Sequence, residues 1–399
     1  MKQCTIIGIS DSRKQWFPPQ VTDVIRSGRV FSGGKRHYEI MHDMLPQDCT
    51  WIDITVPLSR VFEEYAHYDS VIIFASGDPL FYGFANTMQR ELPDCRMVVY
   101  TSFNSLQTLA HRMCLPYHDM HVVSLTGRPW RRFDEALIRG YDLVGVLTDK
   151  RNTPTAIAQR MMDFGYDNYT ITVGENLGNE TAEHIGRTLR VGDFLTESTA
   201  SATEYDINCL ILQRTGSRKL PFGIPEGEFH LLNGRVNMIT KMPVRLLSLA
   251  MLGLRERQSL WDVGFCTGSV SIEARLQFPH LAITAFEIRE EGRDLMLQNS
   301  RKFGAPGIET VIGDFLSTDI STLERPDAVF IGGHGGRLKE MLSKIKEVLR
   351  DGGCIVFNSV SEESRRMFYD GIADIGMKIT GDTLVAIDSH NPIHIMKAE

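Results

Sequence analysis

The sequence lacks the cysteine patterns of zinc sites and disulfide frameworks. Its 399 residues contain seven cysteines, an odd number, spread from Cys4 to Cys354 without a C-x-x-C pair. Structural zinc sites and small disulfide-linked domains need closely spaced or evenly paired cysteines. We therefore expect reduced thiols, no bound metal and a cytoplasmic protein.

Long apolar runs and an excess of positive charge are lacking as well. A membrane-spanning helix needs about 20 consecutive apolar residues, and no segment approaches this length. Residues 1–5 lead directly into a strand-like run, so no signal peptide is expected. The net charge of −7 argues against a broad nucleic-acid surface. We expect neither a membrane nor a nucleic acid as partner.

What the chain does contain is a regular alternation of short β-rich runs and helical patterns. Hydrophobic residues make up 42% of the sequence, enough for two or three ordinary domain cores. The alternation predicts the α/β class. Residues 213–225 are polar and rich in glycine and proline, which is typical of a linker. We therefore predict two domains, residues 1–215 and 216–399.

The most informative stretch is residues 259–273. An apolar strand-like run (259–263) leads into a turn with Gly264 and Gly268, and a helical pattern follows. This order places backbone N–H groups and a helix N-terminus at the carboxyl end of a strand, where α/β sheets bind ligands. About 20 residues further on, a second apolar run ends in Glu287, whose carboxylate can accept both hydroxyls of a ribose. The spacing predicts a nucleoside site.

A later strand-like run ends at Asp314 and Phe315, which we expect to bond an adenine amino group and to pack on its ring. A glycine turn alone is equally typical of tight strand–helix packing, but these features together favour a ligand. The set resembles the S-adenosylmethionine site of Rossmann-like methyltransferases. That resemblance implies cofactor contacts from Thr240, Gly264, Phe265, Cys266, Thr267, Gly268, Glu287, Asp314 and Phe315.

In the first half the best candidate is the S-G-D-P-L-F-Y-G segment at 76–83, which by itself is typical of a simple turn. Glycine turns with basic neighbours at 31–36 and 124–128, and the T-D-x-x-x-T-P segment at 148–154, accompany it. Together they resemble the tetrapyrrole methylase superfamily, in particular its members that methylate carbon 5 of a corrin precursor. The resemblance implies a second S-adenosylmethionine pocket formed by Gly8, Gly77, Asp78, Asn104 and Ser105.

The second half also resembles the enzymes that methylate carbon 15 and decarboxylate the ring C acetate. The matching segments are 223–229, 238–245, 262–268, 329–336 and 391–392. Both halves in this order resemble the fused precorrin C(5,15)-methyltransferases of cobalamin biosynthesis. The resemblance implies a tetrapyrrole methylase domain of two α/β subdomains, then a Rossmann-like methyltransferase domain, and assembly into a homo-oligomer.

The chemistry implied by this resemblance needs few protein groups. Methyl transfer from a sulfonium to an enamine-like carbon depends mainly on orientation, and no catalytic nucleophile, acid or base stands out. His334, between glycine pairs, is either a proton carrier or a polar loop residue. Because a corrin precursor carries many carboxylates, we expect basic residues beside each cofactor. The candidates for substrate binding are Arg36, Arg128, Lys241 and Arg245.

Two other interpretations remain open at this point. The second half could methylate RNA or protein, with the first half as its recognition domain. Alternatively, the first half could be a docking platform without activity, because its first turn keeps only one glycine, Gly8. The sequence also leaves open whether the corrin precursor already contains cobalt.

Overall fold

The computed structural model describes residues 3–235, 238–387 and 391–399. Contacts within the chain divide it into two compact units. Unit 1 comprises Met1–Arg128, Asp142–Ala158 and Tyr169–Thr215, and unit 2 comprises Pro129–Tyr141, Gln159–Asn168 and Gly216–Glu399. The last change of unit falls at the predicted linker, but two earlier segments belong to unit 2. The division into contiguous domains 1–215 and 216–399 therefore stays a prediction.

The first sheet of unit 1 is entirely parallel. Its strands are β1 (Gln3–Ile9), β2 (Val30–Gly33), β3 (Thr50–Asp53), β4 (Ser70–Ser76) and β5 (Arg96–Tyr100), in the order β3-β2-β4-β1-β5. The accompanying helices are α1 (Pro19–Ser27), α2 (Lys35–Met41), α3 (Leu58–Tyr65), α4 (Phe84–Glu91) and α5 (Ser105–Arg112). Strands β1 and β4 are almost continuously apolar because both faces of a parallel sheet are covered.

The second sheet of unit 1 is mixed. It contains β6 (His121–Ser124), β7 (Leu143–Leu147), β8 (Tyr169–Glu175), β9 (His184–Ile185), β10 (Leu189–Arg190) and β11 (Asn208–Arg214), in the order β10-β8-β11-β7-β6 with β9 paired to β8. Helices of this part of the chain are α6 (Arg131–Arg139), α7 (Pro154–Asp163) and α8 (Val191–Ala200). Neighbouring strands β6 and β7 form a parallel pair, whereas β11 is antiparallel to both of its neighbours, β7 and β8.

Unit 2 contains one seven-stranded sheet between helices. The strands are β12 (Ser259–Val263), β13 (Ala282–Glu287), β14 (Ile308–Ile312), β15 (Ala328–Ile331), β16 (Cys354–Ser359), β17 (Ile379–Val385) and β18 (Ile393–Ala398), ordered β14-β13-β12-β15-β16-β18-β17. The helices are α9 (Met242–Leu252), α10 (Ser269–Gln277), α11 (Glu291–Phe303), α12 (Leu338–Val348) and α13 (Glu362–Asp374). The five strands β14, β13, β12, β15 and β16 are parallel to one another. Strand β18 is antiparallel to both of its neighbours, β16 and β17.

Apolar clusters on the two faces of this sheet fix the helices. Side chains of α12 and α13 pack with Trp261, Val263 and Phe357, while α9 and α10 pack with Leu260 and Phe330. Short 3-10 turns occupy His42–Met44, Glu226–Glu228, Leu232–Gly234 and Leu254–Glu256. The predicted α/β class is confirmed. None of the helices in the described part of the chain is long and apolar enough to cross a membrane.

A buried ion cluster ties α6 and the end of α7 to the rest of unit 2. Asp134 and Arg275 are both fully buried, with 3.7 Å between Oδ2 and Nη2. Arg160 donates to both carboxylate oxygens of Asp134 at 2.7 Å. Burial lowers the pKa of Arg275, and the charge of Asp134 opposes this effect. Removing one partner of such a cluster leaves an uncompensated buried charge, so we expect it to be essential for the stability of unit 2.

Candidate functional site

The cavity of unit 2 lies at the carboxyl ends of its parallel strands. It has a volume of about 770 Å³ and is lined by residues that follow β12, β13, β14, β15 and β16. Strand β12 lies in the middle, and the chain continues from it to β13 on one side before returning to β15 on the other. Such a reversal opens a crevice between the loops, the usual ligand site of open α/β sheets. We call it the unit 2 cavity.

The turn after β12 forms one wall of the unit 2 cavity. Gly264 has a φ of +81°, and a Cβ there would lie 2.7 Å from the backbone nitrogen of Gly333 in the loop after β15. Glycine is therefore required for this close approach. Cys266 also has a positive φ, +53°, and its Sγ contacts the carbonyl oxygen of Met238 at 3.0 Å. Burial raises the pKa of this thiol to about 11, so it is a neutral wall residue.

Glu287 ends β13 and connects that strand to the turn. Its Oε2 accepts the backbone N–H of Cys266 at 3.0 Å, and its Oε1 accepts from the backbone and guanidinium of Arg289 at 3.1 and 2.9 Å. The side chain is only 3% exposed, yet it lines the cavity. Each carboxylate oxygen has two acceptor positions. Glu287 is thus fixed in direction, and one acceptor position on Oε2 is left for a ligand hydroxyl.

Asp262 is a cavity residue that we did not assign from the sequence. It is fully buried; its Oδ2 accepts the hydroxyl and backbone N–H of Ser271 at 2.6 and 3.1 Å. Its Oδ1 has no hydrogen-bond partner among the described residues. Burial raises the pKa of Asp262 to about 7. The two hydrogen bonds from Ser271 lower it, and the charge of Glu287 adds a smaller increase. An unpaired buried oxygen suits a cationic group. The sequence did contain a signal for this residue, since Asp262 stands two positions before Gly264, the first glycine of the turn.

Asp314 and Phe315 follow β14 and also line the cavity. Phe315 is mostly core: it is 6% exposed and packs edge-on against Phe286 with 5.1 Å between ring centroids. Asp314 is partly exposed, and its Oδ2 lies 3.4 Å from Nη1 of Arg337. Both residues line the unit 2 cavity together with Thr240, Lys241 and the Gly264–Phe265–Cys266 turn.

Three residues that we expected at this site lie elsewhere. Thr267 is fully buried, and Gly268 turns the chain with a φ of +75° against Met296; neither lines the cavity. Arg245, expected to bind substrate, is fully buried and paired with Glu273, with 3.2 Å between Nε and Oε2. Its Nη1 donates to the carbonyl of Thr240 at 3.0 Å. The expectation for Arg245 is therefore corrected: it supports the backbone of the Thr240 loop and cannot reach a ligand.

His334 lies in the glycine-rich loop after β15 and lines the same cavity. Its Nδ1 accepts the backbone N–H of Gly336 at 3.1 Å, and its ring packs edge-on against Phe357. Burial lowers its pKa, with a smaller opposing effect from Glu363. The ring is therefore neutral at physiological pH, with its proton on Nε2.

Unit 1 contains a larger cavity, of about 960 Å³. Loops after β1, β2, β4 and β5 line it together with residues at the ends of β6, β7, β8 and β11, so both sheets of unit 1 contribute. Gly77, with a φ of +61°, lies against Asn104, where a Cβ would come within 2.9 Å of the Asn104 Cα. Asn104 caps α5 by accepting the N–H of Gln107 at 2.9 Å. Gly77, Asn104 and Ser105 all line this unit 1 cavity.

Gly8 and Asp78 act behind the wall of the unit 1 cavity and do not line it. A Cβ on Gly8 would collide with the carbonyl oxygen of Gly77, so this glycine permits β1 and the turn after β4 to touch. The Oδ1 of Asp78 accepts the N–H of Leu80 at 2.9 Å and shapes that turn. The single glycine kept in the first turn is thus required by packing.

Basic side chains line the unit 1 cavity. Arg36 pairs with Asp11, with 2.7 Å between Nε and Oδ1. Arg128 donates to Oγ of Ser124 at 2.8 Å and lies over the ring of Tyr82 at 5.0 Å. Arg112, which sequence reasoning missed, also lines the cavity while bonded to Glu183. Positive side chains in this arrangement suit an anionic ligand.

Comparison with known proteins agrees with the sequence resemblance. A family model described as a precorrin methyltransferase domain matches residues 234–394. A precorrin-6Y C(5,15)-methyltransferase [decarboxylating] of Sinorhizobium is 28% identical, and the match covers 93% of this chain and 88% of the relative. A Mycobacterium tuberculosis protein of the same name is 26% identical over 93% and 90%. A Salmonella typhimurium cobalt-precorrin-6B C(15)-methyltransferase (decarboxylating) is 36% identical over 36% of this chain and 74% of the relative.

These relatives confirm the predicted class of enzyme. The Sinorhizobium relative matches nearly the whole chain, at 28% identity. The shorter Salmonella relative is 36% identical over 74% of its own length. The chain is a methyltransferase and belongs to the precorrin methyltransferase family.

Proposed function

We propose that this chain methylates precorrin-6Y, or its cobalt form, at carbon 5 in the unit 1 cavity and at carbon 15 in the unit 2 cavity. It also removes carbon dioxide from the ring C acetate. The observation that carries this proposal is the presence of two cavities, each at the carboxyl edge of parallel strands and each within a different unit. One chain with two cavities fits two methylations on one macrocycle.

In the unit 2 cavity, the methyl donor S-adenosyl-L-methionine fits the side formed by β12, β13 and β14. Glu287 would accept a ribose hydroxyl through Oε2, and Asp314 with Phe315 would hold the adenine. The unpaired Oδ1 of Asp262 would accept a hydrogen bond from the ammonium group of S-adenosyl-L-methionine. The macrocycle would then lie across β15 and β16, beside Lys241 and His334.

In the unit 1 cavity, the donor would lie on the side of Gly77, Asn104 and Ser105, and the macrocycle beside Arg36 and Arg128. Gly8 and Asp78 would support the donor side indirectly, through the shape of the turn. The domain boundary at 215 and 216, a homo-oligomer and a cytoplasmic location are part of the same proposal. All seven cysteines are free thiols, which fits a reducing compartment.

The chemistry places modest demands on these side chains. When bound, S-adenosyl-L-methionine supplies an electrophilic methyl group. The cavity walls hold the acceptor carbon in line with that methyl and exclude water, which is where most of the rate enhancement arises. In the decarboxylation, the electron pair of the broken carbon–carbon bond moves into the ring imine, and the exocyclic carbon takes up a proton. The neutral His334, whose Nδ1 is occupied by Gly336, would hydrogen-bond the macrocycle through Nε2.

Binding stoichiometry tests this proposal directly. Calorimetric titration with S-adenosylhomocysteine should give two sites per chain, and Glu287→Ala should remove one and leave the other. Incubation with precorrin-6Y and S-adenosyl-L-methionine should give a product with two added methyl groups and one carboxyl group lost, by mass spectrometry. A single binding site, or a product with one methyl group, would favour an inactive first half.

A further inference from the structure

A pair of side chains on the β2 side of the unit 1 cavity has no role in the scheme above. Ser76 is the last residue of β4, and His37 lies in the first turn of α2. Nε2 of His37 lies 2.9 Å from Oγ of Ser76. Both residues line the cavity, and neither was assigned a function from the sequence.

The backbone decides which nitrogen of His37 carries the proton. Nδ1 accepts the N–H of Gly34 at 3.2 Å, so Nδ1 is unprotonated and the proton of the neutral ring is on Nε2. Burial, followed by the charge of Arg36, lowers the pKa of His37 to about 4, while Asp11 and the carbonyl of Phe74 raise it less. The ring is therefore neutral at physiological pH.

This tautomer fixes the role of the serine hydroxyl. Because His37 offers an N–H to Ser76, Oγ of Ser76 can only accept in that bond, and its own proton must point elsewhere. In the described part of the chain, the hydroxyl of Ser76 has no other hydrogen-bond partner. Ser76 is exposed at the cavity wall. Its hydroxyl proton is therefore available for a hydrogen bond to whatever occupies the cavity.

The position of the pair indicates which ligand receives this bond. In the sheet order β3-β2-β4-β1-β5, Gly77 contacts Asn104 after β5, so the residues assigned to the donor lie on the β5 side. His37 follows β2 on the opposite side and is next to Arg36. A hydroxyl donor in the same cavity as the guanidinium groups of Arg36 and Arg128 suits a carboxylate. We propose that Ser76, held by His37, donates a hydrogen bond to an acetate or propionate carboxylate of the macrocycle.

This inference rests on the proposed function and adds to it that Ser76 binds substrate, with His37 as a positioning residue. In Ser76→Ala, the KM for precorrin-6Y in carbon 5 methylation should rise about 10- to 100-fold, as for other lost bonds to charged groups. The affinity for S-adenosylhomocysteine in unit 1, measured with Glu287→Ala also present, should not change. Carbon 15 methylation by the same chain is an internal control. The matched control variant is Ser27→Ala, at an exposed serine on α1, which should leave the KM unchanged.

The KM values of His37 variants distinguish a positioning role of His37 from a general role in folding. His37→Phe should raise the KM, and His37→Gln, which retains an N–H donor, should restore part of the loss. The double variant Ser76→Ala with His37→Phe should be no worse than Ser76→Ala alone, because His37 acts through the hydroxyl. Additive losses would contradict this coupling. Thermal unfolding of each variant identifies any that fold poorly.

The inference and the proposed function fail in different ways. If the wild type methylates carbon 5 and Ser76→Ala has an unchanged KM, or loses both affinities equally, the inference is overturned alone. If the wild type does not methylate precorrin-6Y, the proposed function is overturned. Fluorescence titration with uroporphyrin, a porphyrin that carries only acetate and propionate side chains, then decides the inference. Binding at one class of sites about tenfold weaker in Ser76→Ala supports it; equal binding overturns it.

Discussion

Replacing Asp262 by asparagine should make unit 2 more stable at alkaline pH and weaken ligand binding at the same time. Asp262 is fully buried, and its pKa is raised from 3.8 to about 7, mainly by burial. At 1.36 kcal/mol per pH unit, this difference corresponds to a destabilisation of about 4 kcal/mol above pH 7. The ionised carboxylate of Asp262 thus destabilises the folded state when no positively charged ligand is bound.

The pH dependence has a definite sign. The folded state binds more protons than the unfolded state between pH 3.8 and about 7. The contribution of Asp262 to stability is therefore fully present below pH 3.8 and is lost as the pH rises through this window. Asparagine has no such loss. Its oxygen can accept both Ser271 bonds, but its buried N–H donors replace the unpaired Oδ1, at about 1–3 kcal/mol.

The expected net effect is a gain of about 1–3 kcal/mol at pH 8, with an advantage that grows by about 2–3 kcal/mol from pH 5 to pH 8. For a unit of this size, this gain corresponds to a rise in Tm of about 2–12 °C, measured by thermal unfolding without ligand. Calorimetry should show that S-adenosylhomocysteine binds unit 2 about 10- to 100-fold more weakly in the variant. Asp351→Asn, at an exposed position, should change neither quantity. A variant whose advantage is independent of pH, or that binds as tightly as the wild type, would refute the reasoning.

Three further outcomes are expected. Asp134→Ala should lower the free energy of unfolding by about 3–5 kcal/mol in urea titrations, since it leaves Arg275 buried without its partner; a loss below 1 kcal/mol would mean that water reaches the cluster. Cys266→Val should lower Tm more than Cys266→Gly, because a β-branched residue fits the positive φ poorly and glycine fits it well; the reverse order would contradict the turn geometry. Lys241→Ala should raise the KM for precorrin-6Y in carbon 15 methylation while the affinity for S-adenosylhomocysteine stays constant; equal losses in both would refute a role toward substrate.

The sequence alone determined the features that depend on neighbouring residues. The strand–turn–helix at 259–273 could be predicted because apolar periodicity and glycine placement act over a few residues. Glu287 could be placed at the same edge of the sheet, since parallel strands end together. The α/β class followed from the alternation of patterns along the chain. The family followed from the order of several short motifs.

Only the tertiary structure decided which charged and polar side chains face a cavity. Arg245 turns inward because Glu273, 28 positions later, and the carbonyl of Thr240 meet its guanidinium in the core, and burial of an arginine depends on such partners. His37 and Ser76 are brought together by the pairing of β2 with β4, which no local pattern specifies. Gly8 and Gly77 looked alike in sequence, but one supports the wall and the other forms it, because only packing between β1 and β4 sets their depth.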